Sequence, residues 1–141
     1  MRILALDIGS KRIGIAVSDE LGLTAQGLES HICSDVGSDL EYIVALAERY
    51  EAQEIVVGMP YNMNGSEGPQ VERVRAIVSQ MHELTDIPIR EWDERLSTVA
   101  AERTLLEANM SRGKRRKVVD KLAAVIILQG YLDMKHFGNQ M

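Results

Sequence analysis

Asp7 is the one charge inside the apolar run Ile3–Ile8, two residues before Gly9, where the chain has to turn tightly. Burying an unpaired carboxylate costs several kcal/mol, so Asp7 requires a partner. Three are open to it: a cation from Lys11 or Arg12, the backbone amides of the turn, or a metal ion. Two further acidic sites can reach the same place. Asp93 and Glu94 follow the extended segment Ile87–Trp92 at its carboxyl end, and Asp120 falls in the first turn of the last helix. Carboxylates from a strand interior, a strand end and a helix start are the donor set of two-metal phosphodiester hydrolysis. Hard cations take oxygen ligands, and a pair of them roughly 3.5–4 Å apart activates a water and stabilises the leaving oxygen. The spacing nominates Asp7, Asp93, Glu94 and Asp120 as catalytic, with Asp7, Asp93 and Asp120 as ligands for Mg²⁺ or Mn²⁺. Asp120 also suits a helix N-terminus without any metal, and Asp93 a surface turn.

The substrate of such chemistry is anionic, and the cations are unevenly spread. The formal net charge is -5, yet Ser111–Lys121 carries Arg112, Lys114, Arg115, Arg116, Lys117 and Lys121 against Asp120 alone. That segment is net +5 and the remainder net -10, so phosphate would be gripped locally rather than by the whole surface. Candidate nucleic-acid contacts are Arg112, Lys114, Arg115, Arg116 and Lys117, together with Lys11, Arg12 and Arg95 beside the acids. A solvated loop and helix start would carry the same cluster. Trp92 and the four tyrosines do not interleave with it, which argues against base stacking as the grip.

The elements that must hold these residues follow from periodicity. Ile3–Ile8 is nearly continuous in apolar residues, as in a strand buried on both faces. Ile13, Ile15 and Val17 alternate with small residues to make a second strand, joined to the first by a hairpin at Gly9–Arg12. A third strand is expected over Leu23–Ile32. Leu40, Ile43, Val44, Ala47 and Tyr50 share one helical stripe. Glu54–Gly58 is a short buried strand, and a turn-rich loop leads from it to a helix with Pro69 in its first turn. Ile87–Trp92 is extended. A third helix is expected from Thr98, with Ser97 or Thr98 as its cap, fraying at Asn109–Gly113. A last one is expected over Lys117–Met134. Its apolar stretch Leu122–Leu128 predicts a helix with no solvent face through its middle. The order βββ-α-β-α-β-α-α makes an α/β fold with a five-stranded mixed sheet. Strands four and five run parallel to strand one, and helices cover both faces. Ligands then belong at the carboxyl ends of the central strands.

A chain of 141 residues can bury roughly two-thirds of its unfolded surface around one core, so a single domain over 1–141 is expected. Its 45% apolar and 26% charged residues match a soluble globular chain, and no run reaches the 18 or so apolar residues of a membrane span. The N-terminus has no secretory h-region, which predicts a cytoplasmic protein. The single cysteine, Cys33, cannot make an internal disulfide and has no zinc spacing with His31. His82 and His136 are expected on helical surfaces away from the acids.

Several blocks taken together resemble a known family. Asp7-Ile8-Gly9, Arg12-Ile13-Gly14 and Ala16-Val17-Ser18-Asp19 are similar to the opening motif of the YqgF family, relatives of the RuvC Holliday-junction resolvases. Gly58-Met59-Pro60 with the following NMNGSEGPQ loop, Asp93-Glu94-Arg95-Leu96-Ser97-Thr98, Asp120-Lys121-Leu122-Ala123-Ala124 and Leu128-Gln129-Gly130-Tyr131-Leu132 resemble its remaining blocks, in order over nearly the whole chain. The resemblance implies a ribonuclease H-like fold and a nuclease that matures the 5′ end of pre-16S ribosomal RNA. Its structured nucleic-acid partner would then be the ribosomal RNA precursor, handled by a monomer or homodimer. Junction resolution in DNA is the alternative activity, and a non-catalytic RNA-binding or ribosome-assembly module the alternative class. Carried over by position, the acidic site is Asp7, the Asp93-Glu94 pair and Asp120. The sequence departs from the resolvase pattern at Gly58, where resolvases have a glutamate, and at Ala123, where a second helix acid is missing. Both departures predict weaker metal binding.

Overall fold

Leu4, Ala5 and Leu6 have no exposed surface in β1 (Arg2–Ile8), as a strand at the centre of a covered sheet requires. The computed structural model describes residues 1–96 and 112–140, with the side chains of 112–120 and 138–140 outside that description. β1 pairs antiparallel with β2 (Arg12–Ser18), and β2 antiparallel with β3 (Ala25–Ile32). There follow α1 (Val36–Arg49), β4 (Ala52–Met59), α2 (Pro69–Leu84), β5 (Ile89–Asp93), a 3₁₀ turn at Glu94–Leu96 and α3 (Arg112–Gln140). The sheet order is β3-β2-β1-β4-β5, with β4 parallel to β1 and β5 parallel to β4. This is the mixed five-stranded α/β sheet that periodicity predicts. The helix expected from Thr98 falls on 97–111, outside the described residues.

Local polar chemistry moves several boundaries. Asp19 Oδ1 accepts from the amides of Leu23 (2.7 Å) and Thr24 (3.0 Å), which holds both residues in a turn and starts β3 at Ala25 instead of Leu23. Asp35 caps α1 by accepting from Ser38 N at 2.9 Å, so the helix begins four residues before its apolar stripe. α3 already includes Arg112, which makes the basic cluster Arg112–Lys117 helical rather than a connection leading into Lys117.

Strand alternation sends side chains into two cores. Leu4, Leu6, Ile8, Ile13, Ile15, Val57 and Met59 meet α1 and α2 on one face. Ile3, Ala5, Ala16, Val56 and Trp92 meet α3 on the other. α3 packs through Ala123, Ala124, Ile127, Leu128, Tyr131 and Leu132, all buried. Leu122, Val125 and Ile126 are only half-buried and Lys121 is exposed, so the helix does keep a solvent-side face through its apolar stretch. Among the described residues no helix is long and apolar enough to cross a membrane.

The distal half of α3 is tied to the sheet by Glu54, whose carboxylate accepts from Tyr131 Oη (2.9 Å), Lys135 Nζ (2.5 Å) and Arg90 Nε (3.3 Å). Burial pushes this carboxyl up, but the hydrogen bonds from Lys135 and Tyr131 and the Lys135 charge outweigh it, leaving its pKa below the ordinary 4.5. A carboxyl depressed in the folded state stabilises the fold above its unfolded pKa and loses that contribution as pH falls through the folded value. Glu54→Gln is therefore expected to cost about 1–2 kcal/mol at neutral pH. The gap to wild type should close as pH drops below 4.5 toward the folded pKa. Urea melts of both proteins between neutral pH and pH 3 check this, and a gap that widens in acid would be the wrong sign.

Candidate active site

The turn that carries Asp7 is built on close backbone contact. Gly9 N donates to Arg12 O at 2.9 Å, and a Cβ on Gly9 would sit 2.7 Å from that oxygen, so only glycine fits. Arg73 of α2 braces the turn from the other side, its Nη2 donating to Gly9 O at 3.0 Å. No pattern in the sequence singled out this arginine. Asp7 itself is 7% exposed and lies opposite Gly14 of β2.

Which face Asp7 occupies follows from register. Ala5 lies opposite Val56 on β4, and both belong to the core under α3. Two residues further along each strand, Asp7 and Gly58 share that face. Gly58 is bare because its space is taken: a Cβ there would lie 2.5 Å from Ile127 Cδ1 and 2.9 Å from Glu94 Oε1. The Glu94 carboxylate thus reaches back from the end of β5 over β4, into the position that a side chain at 58 would fill.

Asp93 faces the other way. It pairs with Met59, whose side chain is in the core beneath α1 and α2. Arg95 grips its carboxylate through the backbone N–H (2.9 Å), Nε (3.1 Å) and Nη2 (2.7 Å). The Arg95 hydrogen bonds hold the Asp93 carboxyl below the usual carboxylate range. Arg95 also stacks over Tyr61, 5.6 Å from the ring centroid. Arg75 binds the Tyr61 hydroxyl at 3.0 Å and Glu67 at 2.7 Å, pinning the loop after β4. Asp7 and Glu94 are therefore brought to one face, and Asp93 with Arg95 to the opposite one. Asp120 is on α3, with its side chain outside the description, as are those of Arg112, Lys114, Arg115, Arg116 and Lys117. Lys11 is exposed in the Gly9–Arg12 turn, and Arg12 is half-buried beside α3.

Among the described residues no three His, Cys, Asp or Glu side chains converge as a metal cage would. The donors present nonetheless suit a hard divalent ion. Mg²⁺ keeps several waters and is commonly held by one or two carboxylates, which is what Asp7 and Glu94 supply. A soft or borderline metal is not favoured, since Cys33 lies beyond β3 and His31 is engaged with Asp39 at 2.9 Å.

A profile of the RuvX family, described as a Holliday junction resolvase, matches residues 1–134. The chain belongs to the RuvX family. Relatives in that family are close over almost their full lengths. A protein of Halothermothrix orenii is 54% identical over 96% of this chain and 97% of its own, and one of Desulforamulus reducens is 53% identical over 94% and 97%. Both are named "Putative pre-16S rRNA nuclease". The fold is that of the ribonuclease H-like resolvases. Thermus thermophilus RuvC, solved with a Holliday junction substrate, superposes with a TM-score of 0.59 at 13% identity, covering 96% of both chains. The fowlpox virus Holliday junction resolvase gives 0.52 at 13% over the whole of both chains.

Proposed function

We propose that this RuvX-family chain is a metal-dependent endonuclease that processes the 5′ end of pre-16S ribosomal RNA in the cytoplasm. The observation that carries the reading is the Glu94 carboxylate lying over Gly58, on the face and at the strand end where Asp7 is buried. Asp7 and Glu94 would hold Mg²⁺ or Mn²⁺, with Asp120 of α3 completing the acidic set. When bound, such an ion lowers the pKa of a water and stabilises charge on a phosphate oxygen. The protein's own part is to fix the two carboxylates. The Gly9 turn and Arg73 hold β1, while Ile127 packed on Gly58 keeps α3 close to the site. Asp93 acts as a positioning residue in this scheme: bound to Arg95, it shapes the 3₁₀ turn that presents Glu94. The names of the close relatives support the RNA substrate.

The test is cleavage of a 5′-extended 16S precursor and of a four-way DNA junction by purified protein with Mg²⁺ or Mn²⁺, then with chelator. Cutting of the precursor alone, abolished by chelator, is the expected result. Cutting of the junction alone would transfer the activity to DNA. Binding without cutting under any metal would make the chain an assembly module.

The phosphate grip makes its own prediction. Arg115→Ala with Arg116→Ala should weaken RNA binding and flatten its salt dependence, by roughly 0.7–0.9 in log–log slope for each phosphate no longer neutralised. An unchanged slope in a folded protein would reduce the cluster to a solvated helix start.

A further inference from the structure

We propose that the cavity between β3 and the N-terminal half of α3 receives one unpaired nucleotide of the substrate strand, beside the bond that is cut. This rests on the nuclease reading above and extends it to the form of the nucleic acid. The cavity holds about 550 Å³, within the range of small-ligand pockets and large enough for a base with its sugar. Ile32, Leu122 and Val125 give it apolar walls, and Arg12 and Lys121 bring two cations to it. The Lys121 methylenes lie across Gly27, so close that a Cβ there would stand 2.7 Å from them.

The other lining residues are polar. Ser30 joins Arg12, Glu29 and Lys121 among the residues that line the cavity. Glu29, also lining the cavity, offers acceptors to a ribose hydroxyl or an exocyclic amine. Apolar walls, a carboxylate acceptor and flanking cations are the chemistry of base, sugar and phosphate together.

Position favours a nucleotide within a strand over a free one. Arg12 pairs with Ile32 across β2 and β3, and Gly14, two residues on, pairs with Asp7. The cavity therefore opens on the face that bears Asp7, about 10 Å away across two strand spacings. Such a pocket is too narrow for a duplex, whereas an unstacked base can be splayed into it.

The experiment is ¹H–¹⁵N NMR titration of the wild-type protein in chelator. The probes are adenosine 5′-monophosphate, an oligoribonucleotide with a single-stranded end, and the same oligoribonucleotide fully duplexed. AMP should move the amides of Ser30, Ile32, Leu122 and Val125, and the single-stranded end should displace it. Val125→Trp narrows the cavity from its α3 wall. Ile32→Glu, at a position 67% exposed and safe for folding, puts a negative charge at its mouth. Each should weaken AMP and the single-stranded probe about tenfold or more and leave the duplex unaffected. Shifts clustered elsewhere, no AMP binding, or an Ile32→Glu protein that binds like wild type would overturn the inference. Precursor cleavage without AMP in the cavity ends this inference alone, whereas AMP in the cavity without any cleavage ends the nuclease reading and leaves the site.

Discussion

Asp7→Asn is expected to abolish metal-dependent cleavage, by about three orders of magnitude or more, while leaving the protein folded and with an equal or higher Tm. Asp7 carries its charge at 7% exposure among apolar residues, with a second carboxylate over the neighbouring Gly58. Burying a charge costs desolvation energy, and asparagine keeps the shape while removing the charge. A carboxylate serving only to cap the turn, or to pair with Lys11 or Arg12, behaves in the opposite way. Its loss would lower stability by about 1 kcal/mol and spare activity. Tm and cleavage rate measured on one preparation separate the two, and a destabilised but fully active protein would remove Asp7 from the metal site.

Leu128→Asp should have the largest effect on the fold. Leu128 is fully buried where α3 meets the sheet, in a core with the apolar side chains of Ile3, Ala5, Val56 and Ile127. An uncompensated buried charge costs about 3–5 kcal/mol against a total stability of about 5–15 kcal/mol. The variant should be insoluble, or melt at least about 10 °C lower by circular dichroism. Leu122→Asp should be much milder, because Leu122 is half-buried on a cavity wall where a carboxylate can keep its water. Equal damage at both positions would mean that α3 sits on the sheet through a different face.

These two leucines mark how far the sequence could be read. An almost unbroken apolar stretch from Leu122 to Leu128 conceals which positions face the sheet, since hydrophobic periodicity has no contrast there. Where contrast exists, the reading succeeds. The alternation in Ile13–Val17 and the stripe from Leu40 to Tyr50 each became the expected element in the expected order. Boundaries moved where a single acid captured backbone amides, as Asp19 and Asp35 do. The sequence marks candidate acids but not their geometry. Trp92 and Glu94 have the same parity, and that was the available sign that Glu94, not Asp93, shares the face of Asp7. What parity could not reveal is that Glu94 fills the space left by Gly58, because that contact joins β4, β5 and α3. Arg73 left no trace in any local pattern, since its partner is a backbone carbonyl in a turn 64 residues away.

If Asp7 and Glu94 form one hard-metal site from which Asp93 is turned away, the three acids must differ in what their removal does to the ion. Mn²⁺ binding, followed by the fall in free-ion EPR signal, compares four proteins: wild type, Asp7→Asn, Glu94→Gln and Asp93→Asn. Wild type and Asp93→Asn should bind Mn²⁺ alike, while Asp7→Asn and Glu94→Gln each weaken binding about tenfold or more, roughly 1.4 kcal/mol. Mn²⁺ affinity untouched by Asp7→Asn and Glu94→Gln, or abolished in Asp93→Asn alone, would contradict the shared site.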